Sequence, residues 1–506
     1  MTSGPAPSAN LAGRLERDAD TPALILAGAA ATGGPADRTV THGELARRAA
    51  RWRGGLAGAG VRPGQRVAIV AGNTETFVLA HLAVLGTGAV SVPLNPQSPP
   101  AELARELAAV DASAVVGDEA GIGPLEQALA AMADGVGPLG PVRLDPDAID
   151  QGSPAPIVDV AGSDPAVLLF TSGTAGPPRP AVLTHANLTA ALQAVLSLPT
   201  GLVERPQTFL AVVPLFHVLG LNTVLHLALA IGAAVVLDEF RDGPATIDLI
   251  ERHRVTVALG PPNLWQLLSL TPEADADRLA SVGLAVSGAA RLPAPVELAV
   301  ADRLGLRLDE GYGLTETAAV VASTVTTDAP LGSVGRLLPG VEARIVDDGG
   351  GDCLVGDPGE LLVRGPMVFP GYWTAEGLDR EPLDDEGWLR TGDLAVVDED
   401  GHLAIVGRRK ELIIVSGFNV FPAEVESILV DHPDVADAGV VGEPSEATGE
   451  TVVAFVVPEA GRSVDEDELR DHCRAELARY KVPSRFVIAT ELPVGPTGKL
   501  RRNRLR

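Results

Sequence analysis

Aromatic residues are scarce in this chain: Phe, Trp and Tyr together make up 3% of 506 residues. A core of that composition has to be built from Ala, Val and Leu, and at 46% hydrophobic residues there are enough of them for a globular protein. Cysteine is scarcer still. Cys353 and Cys473 lie far apart with no metal-ligand spacing, which argues against a disulfide framework or a structural zinc and suits a reducing cytoplasm. Positive charge is outnumbered, with 39 Lys and Arg against 66 Asp and Glu and a formal net charge of −27. No lysine-rich face is visible, so a nucleic-acid partner is not expected. The N-terminus lacks a basic start followed by an apolar run, and no signal peptide is expected. The best candidate for a membrane span, residues 219–237, is uncharged but interrupted by Asn222, Thr223, His226 and Gly232. It reads as a buried helix, a Gly-Ala turn and a short strand over 234–237, so no transmembrane segment is expected.

At this length more than one core is expected, hence two or three domains. Up to about residue 340 short apolar strands alternate with helical stretches, the pattern of α/β architecture with largely parallel sheets. Strands are expected at 67–70, 91–93, 166–170, 209–213, 255–259 and 283–286, and helices over 75–85 and 295–304. From about 340 to 407 short alternating strands between Gly, Asp and Pro turns predict a small β subdomain, with strands at 359–364 and 402–406. Beyond Gly407 roughly a hundred residues read as a small α+β unit. Its expected order is strand 412–415, helix 422–430, strands 438–441 and 452–457, then helix 465–479. Residues 118–160, rich in Ala, Gly, Pro and Asp, are expected to form surface loops over the sheet. The division is therefore 1–407 and 408–506. The short basic tail from Lys499 to Arg506 reads, taken by itself, as a solvated terminus.

One stretch carries more information than any other: FTSGTAGPPR at 170–179. A buried strand runs into a loop with three hydroxyls and two glycines, a composition that brings backbone N–H groups and hydroxyls close to an anionic oxygen. It is not a Walker A loop, because no Gly-Lys-Ser/Thr follows at the required spacing. Five further segments follow in order: PLFH at 214–217, GYGLTE at 311–316, GWLRTGD at 387–393, GRRK at 407–410 and PTGK at 496–499. In this set and order, across nearly the whole chain, the sequence resembles the adenylate-forming superfamily of acyl-CoA synthetases, peptide-synthetase adenylation domains and luciferases.

The resemblance implies a large N-terminal α/β domain and a small mobile C-terminal domain hinged at Lys410. It also implies a two-step reaction: a carboxylate attacks the α-phosphorus of ATP with loss of pyrophosphate, and a thiol, here coenzyme A, then displaces AMP. Both steps build negative charge on oxygen, which calls for positioned donors, a cation and Mg²⁺. Thr171, Ser172, Gly173, Thr174 and Gly176 are implied to close over the β- and γ-phosphates, with Arg179 as the loop's cation. Thr315 would bond the α-phosphate and Glu316 would hold Mg²⁺; without the resemblance Glu316 serves equally well as an acid at a helix N-terminus. Tyr312 is implied to stack on adenine, although a tyrosine beside glycine is also ordinary packing. Asp393 would accept the ribose hydroxyls, and Arg408 would assist at ribose or phosphate. Lys499 would reach the carboxylate and α-phosphate during adenylation, where the alternative is an exposed tail lysine. His217 is implied to border the acyl and pantetheine channels as a gate, not as a general base. Gly417, in the SGFN loop at 416–419, would let pantetheine pass close to the backbone after the C-terminal domain rotates. The continuous run from 407 to 426 leaves no room there for the insertion seen in fatty-acyl-AMP ligases, which favours transfer to coenzyme A.

For the acid, EGYGLTE (310–316), VSGFNVFP (415–422) and GEPSEATG (442–449) most resemble bacterial medium- and long-chain fatty-acid–CoA ligases. Malonyl-CoA synthetases carry an arginine where Gly311 stands. Glycine there leaves an open, uncharged tunnel, lined also by Gly288 and Ala289, as an alkyl chain would prefer. Aryl acids fit the same apolar slot. Two rival readings are a protein that loads a carrier protein's phosphopantetheine and a non-catalytic acyl- or nucleotide-binding relative; the joint presence of Glu316, Asp393, Arg408 and Lys499 speaks against the second. Monomer and homodimer are both open. One departure stands out: family loops end Thr-Gly-x-Pro-Lys-Gly, whereas this one reads AGPPRP at 175–180. Arg179 forks the cation, and Pro178 and Pro180 remove N–H donors, so a raised ATP requirement is expected.

Overall fold

A computed structural model of the chain describes residues 9–28, 36–133, 140–171, 178–239, 242–416, 418–445, 448–494 and 500–505. Two large sheets dominate the N-terminal domain. In the nine-stranded sheet, Leu308–Tyr312, Leu284–Ser287, Val257–Gly260, Thr208–Ala211, Ala234–Leu237 and Pro22–Leu26 run parallel, flanked by antiparallel partners at both edges. The eight-stranded sheet centres on parallel strands Pro165–Thr171, Val90–Leu94, Arg66–Val70, Ala114–Gly117 and Val142–Leu144. The largest apolar cluster joins strand residues of both sheets, among them Val67, Ile69, Phe209 and Val235, through Phe77, Leu82, Leu225 and Leu229. Helix Glu75–Gly86 lies in this sandwich, and every residue from Phe77 to Gly86 is buried. With no face left for water its sequence has no polar stripe. The side chain of Thr74 caps it by accepting from the Phe77 N–H over 3.3 Å.

The expected strands and helices of this half are present within a few residues, including the helix, left-handed Gly232 turn and strand Ala234–Leu237. Its first part, Leu219–His226, is a π-helical turn. No helix of the described residues is long and apolar enough to cross a membrane. Residues 118–160 correct the expectation of surface loops. They hold helix Glu119–Ala133, strand Val142–Leu144, which extends the eight-stranded sheet, and helix Pro146–Asp150.

A four-stranded antiparallel sheet, from Glu342–Val346 to Leu403–Arg408, forms the expected β subdomain. The hairpin Tyr372–Thr374 and Gly377–Asp379 leaves it and joins the eight-stranded sheet beside Arg179–Thr184. The smaller C-terminal domain has its own core of Val425, Leu429, Val440, Ala454, Leu469 and Cys473. Part of the basic tail is held against the domain, which corrects the expectation of a solvated segment. Arg502 donates to Glu411 and Glu426 over 2.7 Å each, and Leu505 is buried against the domain.

Candidate active site

Strand Pro165–Thr171 delivers Thr171 to the carboxyl end of the eight-stranded sheet, where it pairs with Arg179 of the returning strand. Pro180 lies opposite Phe170 inside this ladder. Its missing N–H is thus taken from the sheet and not from the hydroxyl-rich loop, which corrects part of the reason for expecting weak phosphate binding. Three parallel strands of the other sheet end nearby. They place Gly260, the Ser287–Gly288–Ala289 turn and Gly311–Tyr312 at one edge, the end of an α/β sheet where ligand crevices form.

Between these edges lies one cavity of about 900 Å³. Thr171, Arg179, His217, Gly288, Ala289, Gly311, Thr315, Glu316, Arg408 and Lys410 all border it, so ten of the expected residues meet in one place. Apolar side chains such as Phe216, Leu219, Leu259 and Val286 line much of the cavity, and at Gly288 and Gly311 the wall is backbone. A Cβ on Gly288 would stand 3.5 Å from the Gly311 carbonyl and 3.7 Å from Leu219, while one on Gly311 would meet Val286 at 3.8 Å. His217 sits on the segment leading into the π-helical turn, its ring tilted against Phe216 at 5.4 Å.

The polar end is tightly paired. Tyr312 and Asp393 stand behind the lining: the Tyr312 hydroxyl donates to Asp393 Oδ2 over 2.6 Å, and Arg408 Nε forms an ion pair with Oδ1 at 2.9 Å. Asp393 is 2% exposed, so both carboxylate oxygens are satisfied inside the protein. Burial first, then the Asp393 charge and hydrogen bond, pushes the Tyr312 hydroxyl well above the ordinary phenol range. Burial opposes the charge of Arg408, but Asp393 and other neighbouring acids outweigh it, and its pKa is raised. Glu316 accepts from the Tyr372 hydroxyl, an uncharged donor. On the Tyr372 ring lies the Arg179 guanidinium, 3.9 Å from the centroid, which also pairs with Asp379 and stands 3.7 Å from Glu381. Arg390 and Arg409 converge on Glu360 over 2.7 Å each. Lys410 is exposed beside them on a 3₁₀ turn.

Ser172, Gly173, Thr174, Gly176, Gly417 and Lys499 lie outside the described residues. Sequence reasoning missed Tyr372 and Asp379, which bring Arg179 and Glu316 together. It also missed Val286 and Leu219, which flank the two glycines in the cavity lining. No motif marks any of the four; only the hairpin's docking on the sheet reveals the first two.

Residues 11–373 match the AMP-binding enzyme family, and residues 424–499 match the AMP-binding enzyme C-terminal domain. Feruloyl-CoA synthase of an Amycolatopsis species is 36% identical over 470 residues, 92% of this chain and 93% of its own. 4-Coumarate–CoA ligase 1 of Solanum tuberosum is 33% identical over 487 residues, 94% and 89% of the two chains. Among solved structures, ATP-bound MatB from Rhodopseudomonas palustris superimposes with a TM-score of 0.89 at 30% identity, over 99% of this chain and 98% of its own. Neither of the two ligases is named for a fatty acid, so the fatty-acid expectation finds no support in them. The chain belongs to the AMP-binding enzyme family of the adenylate-forming superfamily and is an AMP-forming acyl-CoA synthetase, an ATP-dependent acid–thiol ligase.

Proposed function

We propose that the acid is aromatic, of the hydroxycinnamate kind. The observation that carries this reading is the stretch of backbone in the wall: Gly288 and Gly311 lie close together, flanked by Val286 and Leu219, and leave an apolar surface without side chains on which a planar ring can lie. Two relatives named for feruloyl-CoA and 4-coumarate support it. Thr315, Glu316 and Arg408 border the same cavity, so an acid lying against the glycines shares it with the residues proposed for the nucleotide.

In the first step a carboxylate oxygen bonds to the α-phosphorus of ATP while the bond to the β-phosphate oxygen breaks, and pyrophosphate leaves. In the second the sulfur of coenzyme A, having lost its proton, bonds to the acyl carbon and AMP leaves. Thr171, Ser172, Gly173, Thr174 and Gly176 hold the β- and γ-phosphates, and Thr315 holds the α-phosphate. Arg408 and Lys499 supply cations to the charge that develops there. Asp393 takes the ribose and Tyr312 lies against adenine. Glu316 and Thr315 offer a carboxylate and a hydroxyl oxygen, a donor set that suits Mg²⁺, and Glu316 accepts from the uncharged Tyr372 hydroxyl. Mg²⁺ supplies charge neutralisation at the phosphates. His217 gates the slot and Gly417 lines the pantetheine path. The chain divides at 407/408, with Lys410 as the hinge between the two half-reactions.

The test is a panel of cinnamic, benzoic, medium-chain and long-chain acids incubated with ATP and Mg²⁺, with and without coenzyme A. Pyrophosphate and AMP release, and thioester formed, are measured. Hydroxycinnamates should give the highest kcat/KM for thioester; a fatty acid ahead of every aryl acid would overturn the reading.

A further inference from the structure

Four buried polar side chains link the two large sheets in one continuous chain of hydrogen bonds. The Ser91 hydroxyl lies 2.8 Å from His81 Nδ1, and His81 Nε2 lies 2.7 Å from His226 Nε2. His226 Nδ1 lies 2.9 Å from Asn222 Oδ1, and Asn222 Nδ2 donates to the Ala318 carbonyl over 2.8 Å. Ser91, His81, Asn222 and His226 are each at most 1% exposed.

Valence fixes the direction of every link. Because the Ala318 carbonyl can only accept, the Asn222 amide nitrogen must face it and the amide oxygen must face His226. His226 therefore carries its proton on Nδ1 and accepts at Nε2. Only one proton fits between two Nε2 atoms, so His81 donates from Nε2, and its bare Nδ1 accepts from Ser91. Burial, reinforced by neighbouring imidazoles, lowers the pKa of both rings, that of His81 to about 3, so both stay neutral.

The far end of this chain is a strained turn. Ala318 and Ala319 have φ of +53° and +110°, conformations that a residue with a Cβ holds only when its surroundings impose them. The turn closes the 3₁₀ segment Thr315–Thr317, with the Ala318 N–H donating to Thr315 O over 3.1 Å. Asn222 and His226 belong to the π-helical turn, whose Leu219 and Thr223 line the same cavity as Thr315 and Glu316. Such turns interrupt helices most often at functional sites.

We propose that Asn222 and His226 are positioning residues for adenylation: their one-way hydrogen-bond chain holds the Ala318 turn, and through it sets Thr315 and Glu316 against the nucleotide. This rests on the adenylation roles proposed above for those two residues. A reversed tautomer at His226 would turn the Asn222 oxygen onto the Ala318 carbonyl and push the turn away.

Asn222→Leu keeps nearly the same shape and removes the donor at Ala318 without introducing another group that could donate there. Acid-dependent ATP–pyrophosphate exchange should lose at least tenfold in kcat, with KM for the acid within twofold and the melting temperature within a few degrees of the unaltered enzyme. Exchange at the unaltered rate would overturn the inference alone, whereas no exchange by the unaltered enzyme with any acid would overturn the adenylation reading and the inference together. Nitrogen-15 NMR of the unaltered, histidine-labelled protein decides the matter if the variant fails to fold. It should show His226 protonated on Nδ1 and His81 on Nε2, neither titrating between about pH 5.5 and 8.5, the span that encloses the ordinary histidine pKa. The opposite tautomer, or titration of either ring in that range, would overturn it.

Discussion

The Tyr312 hydroxyl donates to Asp393 over 2.6 Å and occupies the carboxylate oxygen that a ribose hydroxyl would otherwise seek. Tyrosine and arginine together partner both oxygens of a carboxylate that is otherwise sealed from water. Tyr312→Phe leaves Oδ2 without its donor. A hydrogen bond to a charged group contributes roughly 1.5–3 kcal/mol, so free enzyme should lose about that much stability. Saturating ATP should shrink the deficit, because the ribose supplies a new donor. Thermal unfolding with and without ATP checks this, and an equal deficit in both states would tell against Asp393 as the ribose acceptor.

Asp393→Asn removes the charge facing Arg408 and one acceptor for the ribose. Loss of ten- to hundredfold in kcat/KM for ATP is expected, roughly 1.4–2.7 kcal/mol of transition-state stabilisation. KM for the acid should hardly move. Pyrophosphate exchange at varied ATP measures it.

Arg179 is committed to Asp379 and to the face of Tyr372. Asp379→Asn releases one of these holds and frees the guanidinium for the phosphates. KM for ATP should fall two- to fivefold. An unchanged or higher value would mean that the ion pair helps to shape the ATP site instead of competing with it.

A Cβ added at Gly311 would meet Val286 at 3.8 Å and the Ser287 carbonyl at 4.0 Å, ordinary contact, while a branched side chain there would take up space in the slot. Gly311→Ala should keep the fold and reduce turnover of hydroxycinnamates several-fold. Gly311→Val should abolish it while KM for ATP, read with a smaller acid, stays within threefold. Equal loss with all acids would place the fault outside the slot.

Glu310 gives a pH signature. Burial first, then Glu297, raises its pKa from 4.5 to about 8, with Arg291 pulling the other way. The folded state therefore holds a proton that the unfolded chain releases above pH 4.5. The resulting stability is fully present below that pH and drains away as pH climbs to about 8. Glu310→Gln should melt like the unaltered protein near pH 4.5 and higher than it at pH 8, by an amount on the order of a few kcal/mol. Parallel melting curves across this range would show that Glu310 ionises normally in the fold.

The reaction was legible because its machinery is written locally, as short segments whose order along the chain survives folding. The strands before Gly288 and Gly311 and the helix after Thr74 were legible for the same reason: one run of residues decides them. What stayed hidden depends on distant partners. Tyr372 meets Glu316 from 56 positions away, and His81 meets His226 from 145. Residues 118–160 misled because helix Glu119–Ala133 contains Pro124 and two glycines, Gly121 and Gly123, while strand Val142–Leu144 is three residues long. Packing against the sheet edge stabilises both, and that contribution leaves little trace in local composition. The acid was the least legible part, since an apolar slot without a charged residue reads alike for chains and rings.

A wall made of peptide backbone can change in one direction only. At 288 and 311 any substitution adds atoms, because there is no side chain to remove, and at 289 only glycine would take one away. Single replacements there can narrow the range of acids this enzyme takes but hardly enlarge it. Broader tolerance has to come from the side chains beside them, such as Val286 and Leu219, which line the same cavity and can shrink. The enzyme's selectivity is thus easiest to sharpen at its glycines and easiest to relax at the aliphatic side chains next to them.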